Sequence, residues 1–182
     1  MTTLSKQQMD AAGEFANATI AALKVGEGVH PPTVIAASAR MAGVYLFRSF
    51  GFDVAGVSPG EIVLSTEANE QTPLLVQITA GILSQIGIKN AETPKMPPET
   101  PADPKAKPSL EFLETQRKVE PAYAPIKARF VLTDEQAAQS MAVGTALLIR
   151  HCAKFLDPNV AFGIAVYGFI EGAKTLGEPP SV

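Results

Sequence analysis

From Val160 to Ile170 the chain reads VAFGIAVYGFI, an unbroken apolar run introduced by Asp157-Pro158-Asn159. Asp157 is suited to cap a helix and Pro158 to its first turn, so the run reads as a helix with almost no face for water. Such a helix belongs in a core, between subunits or in a membrane. The longest apolar runs, near 11 residues or about 16 Å as helix, cover roughly half of a bilayer core and argue against the membrane. A second stretch, HPPTVIAASARMAGVYLFRSFG, has the same character: prolines open it, Gly51 stops it, and only Arg40 and Arg48 interrupt its apolar and small residues.

Glycine refines the choice. Gly163, Gly168 and Gly172 each cost about 1 kcal/mol relative to alanine inside a helix, so something must offset them. Gly168 and Gly172 share a face, as do Ser38 and Ala42, Ala39 and Gly43, Ser140 and Gly144, and Ala142 and Ala146. Small residues four apart let helix backbones approach closely. The pattern predicts tightly crossed helices with the Pro31 and Pro158 helices at the centre.

Other elements follow from their punctuation. Ser5 with Gln8 is a capping box, and Leu4 can pack back on Met9. The helix behind it places Met9, Ala12, Ala16, Ile20 and Leu23 inward, and Gly26 and Gly28 end it. Thr72-Pro73 opens another helix with Leu75, Ile78, Ile82 and Ile86 on one side. SLEFLETQRKVEP forms a short charged helix that Pro121 interrupts. Thr133 with Asp134, Glu135 and Gln136 starts a strong helix running to about Leu156. EIVLST and IKARFVLT read as short extended pieces, and pairing them adds a minor two-stranded ribbon. The capped helices at Ser5 and Thr133 each lead to an apolar, proline-started helix over spans that differ by one residue. The expectation is a mainly α, single domain over 1–182: a bundle of about five helices built on two αα-hairpins.

Residues 91–108, AETPKMPPETPADPKAKP, break this pattern. Proline at every third or fourth position removes too many donors for a helix or inner strand and favours extended geometry. The segment reads as a solvated spacer or, more sharply, as a strap laid along this chain or a partner chain.

Fifteen basic and 18 acidic residues leave a net charge of −3, with no basic arm or stripe to suit nucleic acid. The lone Cys152 excludes an internal disulfide and fits a reducing compartment, and the polar N-terminus lacks a signal-peptide pattern. The chain is therefore read as cytoplasmic. Two histidines without a partnering spacing support no metal, and no glycine-rich phosphate loop or other cofactor motif occurs. Cys152 lies at a helix end, where a thiolate is not favoured, and reads as a small core residue.

Arg40 is the most informative charge. Set among Ala36, Ala37, Ala39 and Met41, its guanidinium must snorkel or be paired, with Glu171 or Glu14 as candidate partners. A sharper alternative makes Arg40, Tyr167 and Glu171 the lining of an interhelical pocket for a carboxylate- or phosphate-bearing ligand. Burying two such apolar helices asks for neighbours on every side, which a homodimer supplies with fewest assumptions. The first functional reading is a non-enzymatic, self-associating structural or interaction module. The second is a small-molecule binder or enzyme built around Arg40.

Overall fold

The computed structural model describes residues 4–88 and 106–180. Six helices account for most of them: α1 (Lys6–Leu23), α2 (Pro31–Ser49), α3 (Thr66–Gln85), α4 (Phe112–Arg129), α5 (Asp134–Cys152) and α6 (Pro158–Lys174). The fold is mainly helical, and a single hydrophobic core draws residues from all six helices. Among the described residues, no helix is long and apolar enough to cross a membrane.

Three starts follow their caps. Ser5 and Thr133 form capping boxes with Gln8 and Gln136, and the Asp157 carboxylate accepts from the amides of Asn159 and Val160. Other expectations need correction. Among the described residues there are six helices rather than about five, the segment expected to be a short charged helix being a full-length one. α3 begins earlier than expected, because Ser65 caps it at the amide of Ala68 and Pro73 lies inside it. Likewise α4 runs straight through Pro121 and Pro125 to Arg129. The first half of IKARFVLT, to Arg129, is therefore helix, and the rest is the turn that leads to α5. The expected ribbon is absent among the described residues: Ile62 instead makes an isolated antiparallel bridge with Thr175. The buried faces of two helices are broader than expected. In α1, Ala12 and Ala16 are buried and Ile20 and Leu23 pack partly buried against the core, joined by Gln8, Ala11, Phe15 and Thr19, while Met9 is exposed; α3 buries Ala68, Thr72, Leu75, Thr79 and Leu83, with Ile78, Ile82 and Ile86 partly buried beside them.

The hairpins pack differently from the expected pair of αα units. α2 packs most extensively on α6 and α5, and α1 on α5 and α4, while helices adjacent in sequence touch far less. Each half of the chain thus supplies the neighbours of the other. α2 is enclosed along its length, every residue from Pro32 to Phe47 being buried. α6 is half enclosed: Ala161, Phe162, Ala165 and Phe169 are inside, whereas Val160 and Tyr167 face out.

The small residues act where the helices cross. A Cβ at Gly43 would stand 2.6 Å from the Phe169 carbonyl oxygen and 2.7 Å from the Gly172 Cα. At Gly172 it would meet the Arg40 carbonyl, and at Gly168 it would lie 2.8 Å from the Ala39 Cβ. At Gly144 it would lie 2.9 Å from the Ala12 carbonyl oxygen of α1. Backbone-to-backbone packing replaces the lost side chains with dispersion contacts.

The proline-rich stretch 91–108 lies mostly outside the described residues. Within its described end Ala106 is buried, and just beyond it both the amide and the hydroxyl of Ser109 lie 2.9 Å from the Thr33 hydroxyl in the first turn of α2. Two features of α4 work against its own stability. Internal prolines remove ladder hydrogen bonds, at about 3 kcal/mol for a helix interior. At its end, Leu132 N–H donates to the Lys127 carbonyl and Val131 N–H to that of Ala128, a Schellman motif. The residue at the glycine position of that motif is Val131, with φ 51°. An L-residue pays about 1–2 kcal/mol for this left-handed conformation.

Replacing Gly43 by alanine is expected to destabilise by about 1–3 kcal/mol through forced separation of α2 and α6. Gly81, mid-helix in α3, has nothing within 4 Å of an added Cβ. Gly81→Ala should therefore stabilise by up to about 1 kcal/mol. Urea unfolding of the two variants checks both signs.

Candidate functional site

Arg40 lies on the enclosed helix α2, where Gly172 brings α6 against its own backbone. That approach sets the neighbouring Glu171 carboxylate 2.6 Å from Arg40 Nε. The other side of the guanidinium faces the start of α4: Nη1 donates to the Leu110 carbonyl at 2.5 Å and to the Thr115 hydroxyl at 3.1 Å. Thr115 in turn donates to the Glu111 carbonyl at 2.8 Å. The cation thus ties α6, α2 and the segment leading into α4 together.

Of the three residues singled out for a ligand pocket, Arg40 and Glu171 meet, while Tyr167 lies one turn before Glu171 on α6. Tyr167 is 52% exposed on the outward face of α6. Glu14, the other partner considered for Arg40, pairs with Arg129 instead. With a carboxylate already against Arg40, an incoming anion would have to displace Glu171 or face its charge.

A second charged cluster lies at the far end of α2. Arg48 makes a two-pronged ion pair with Glu120 of α4 and donates to the Glu178 carbonyl at 3.0 Å. The Gln116 amide donates to Glu120 at 2.6 Å and to the Glu178 carbonyl at 2.8 Å, and accepts from the Glu178 amide at 2.8 Å. Arg117 holds the Glu178 carboxylate. These bonds lay the extended segment after α6 along α4. The Tyr45 ring lies under both Arg48, 5.1 Å from its centroid, and Lys127, at 5.7 Å; Lys127 pairs with Asp134 at 2.5 Å. Burial, and then the Glu120 charge, push the Tyr45 hydroxyl's pKa well above the usual tyrosine range.

This cluster floors an open cleft of about 980 Å³ lined by Tyr45, Arg48, Glu120, Lys127 and Asp134 together with Pro121, Ala124, Pro125, Ala128, Val131 and Leu132. Arg40, Tyr167 and Glu171 take no part in it. Arg48 stands out in the sequence, but Glu120 does not. Reading α4 through its prolines would have found it, since Phe112, Gln116, Val119, Tyr123 and Ile126 mark the buried face that also carries Glu120.

Elsewhere the buried polar groups are paired with one another. Thr19 meets the Tyr123 hydroxyl at 2.5 Å, Ser38 meets Thr145 at 2.8 Å, and the Gln8 amide donates to Gln139 at 2.8 Å. Among the described residues, every buried side-chain nitrogen and oxygen has a partner. Burial pushes the Cys152 thiol up to about 11, which keeps it protonated at neutral pH. His30 is exposed, with Nδ1 2.7 Å from the Thr33 hydroxyl. Among the described residues no three His, Cys, Asp or Glu side chains gather as a metal site. Comparison with protein-family models, with curated proteins and with solved structures finds no match to this chain.

Two outcomes test this electrostatic account. Arg40→Met leaves the Leu110 carbonyl and Glu171 without their cation and is expected to cost about 2–4 kcal/mol in urea unfolding with no ligand present. Burial also pushes the Tyr123 hydroxyl up to about 12. Its folded pKa exceeds the unfolded value near 10, so its contribution is full below about pH 10 and is lost as pH rises toward 12. Tyr123→Phe leaves Thr19 bonded to the Phe15 carbonyl. Stability measured against pH in that variant should fall less steeply above pH 10 than in the parent.

Proposed function

We propose that the chain is a non-catalytic, self-associating helical module, working as a homodimer in the cytoplasm, where Cys152 stays reduced. The observation that carries this reading is a contrast between interior and surface. Inside, the buried side-chain polar atoms of the described residues are paired and Arg40 is neutralised by Glu171, so among those residues the core offers a ligand no waiting charge. Outside, Ile62, Leu64, Val131 and Phe155 are each more than 70% exposed, a cost in water that association removes.

The reason for association therefore differs from the one expected. α2 needs no partner copy, because the two halves of one chain enclose it. What remains for a second copy is the outer surface. The alternative, a pocket for a carboxylate- or phosphate-bearing molecule at Arg40, Tyr167 and Glu171, has less support, given the ion pair already made there.

Native mass spectrometry and light scattering across a range of micromolar concentrations test the proposal. A doubled mass without retained small molecule is expected. A monomer throughout would remove the reading, and a monomer retaining a metabolite at full occupancy would favour the alternative.

A further inference from the structure

The segment that follows α6 is held chiefly by its backbone. Gly60 N–H donates to the Leu176 carbonyl at 2.7 Å, Leu176 N–H to the Glu61 carbonyl at 2.9 Å and Val63 N–H to the Lys174 carbonyl at 2.7 Å. Residues 60–63 thus pair with one edge of it. Further on, α4 and α2 take hold. A single side-chain amide, that of Gln116, accepts from Glu178 N–H and donates to the Glu178 carbonyl, both at 2.8 Å, and Arg48 adds a bond to the same oxygen. Arg117 reaches the Glu178 carboxylate through two nitrogens, at 2.8 and 2.6 Å. Pro180 then joins the wall of the open cleft.

This seat reads a sequence. A Cβ at position 177 would stand 2.6 Å from Gln116 Oε1. Gln116 is buried and also bonded to Glu120, so it cannot turn aside without losing its grip on the Glu178 backbone. Glycine is therefore required, an acid must follow it to meet Arg117, and a proline after the acid is already set extended. Gly-Glu-Pro occurs once in the chain, at 177–179; the stretch 91–108 has acids beside prolines but no glycine. The hold is also shallow. Leu176, Gly177 and Glu178 are half-buried and Pro179 and Pro180 exposed, so polar bonds of small net worth keep the segment in place rather than deep burial. Segments held in this way open at low cost.

We infer that the groove between α4, the end of α2 and residues 60–63 receives the 175–180 segment of a second copy, two chains exchanging these segments reciprocally. This rests on the self-association reading and names the segment that carries it. The seat itself decides the occupant: the sequence it accepts is the one seated in it, and every copy carries that sequence once. Exchange keeps each hydrogen bond and the Arg117–Glu178 ion pair that the closed chain makes, so it asks for no complementarity beyond what the groove already displays. Swapping an identical element closes about a two-fold axis and is a low-cost route to a dimer. The crossing point is the end of α6 beside Val63. Ile62 and Leu64, largely exposed on either side of Val63, are the apolar side chains that the arriving copy covers.

Two full-length variants test this by complementation. Gly177→Ala spoils the segment and leaves the groove intact; Gln116→Ala spoils the groove and leaves the segment intact. Sedimentation should show the dimer dissociation constant raised by about tenfold or more in each variant alone. Mixed in equal amounts, with one of them isotope-labelled, they should give a heterodimer in native mass spectrometry at concentrations where neither dimerises alone, because the Gln116→Ala copy lends its segment to the Gly177→Ala groove. Should Gln116→Ala lose its helical circular dichroism, Arg117→Glu on the surface of α4 replaces it. A parent that is monomeric throughout would defeat self-association and exchange together. A dimeric parent with both variants equally dimeric would defeat exchange alone. So would two weakened variants whose mixture stays monomeric, since the segment would then serve its own chain only. Uptake of a synthetic Leu-Gly-Glu-Pro-Pro peptide by Gly177→Ala, with no heterodimer in the mixture, would overturn the second copy in favour of another protein's segment.

Discussion

Close approach of the α2 and α6 backbones is the contact from which the rest of the arrangement follows. At Gly43 and Gly172 there is room for hydrogen and nothing larger, so the helices meet main chain to main chain. That proximity brings Glu171 within 2.6 Å of Arg40, and a cation on an otherwise apolar helix becomes tolerable. With Arg40 neutralised on one side, its other donors can hold the Leu110 carbonyl and Thr115, which fixes where α4 begins. A lock made of side chains alone would put the helices farther apart and leave the guanidinium without its carboxylate.

Cross-packing between the chain's halves has a second consequence. Because α1 and α2 both lean on α5, polar residues of one half find partners in the other: Gln8 with Gln139, Ser38 with Thr145. These pairs satisfy groups that would otherwise oppose burial, and they discriminate between registers, since a shift of one turn would leave each hydroxyl or amide unmatched. The apolar helices supply the driving force for collapse; the scattered hydroxyls and amides select one arrangement from many.

At the surface the logic reverses. α4 keeps two internal prolines and a valine in a left-handed turn, departures that bring its inner face no evident packing. Stability is given up on the outward side only. The same element holds Glu120 for Arg48 and Gln116 for the extended segment after α6, so it joins a rigid inner face to an outer one shaped by other demands.

Much of this was legible in the residues. Helical class and the caps at Ser5, Thr133 and Asp157 follow from side-chain type and spacing, which are local. The central pairing of the two apolar helices follows from their need for cover, and Glu171 was one of two partners the sequence offered Arg40. The prolines misled: Pro121 reads as a break and Pro73 as a start, yet tertiary burial of Tyr123, Ile126 and Leu75 carried both helices through them. The two-stranded ribbon failed for the same reason, since half of one proposed strand was the end of α4 and the rest its closing turn. Spacing could not assign Glu120 to Arg48, because distances across helices depend on how those helices cross. Sequence alone determined that two oily, glycine-studded helices must be covered. Only the tertiary structure decided that the chain covers α2 with its own other half, because crossing geometry depends on the whole set of contacts rather than on any one segment.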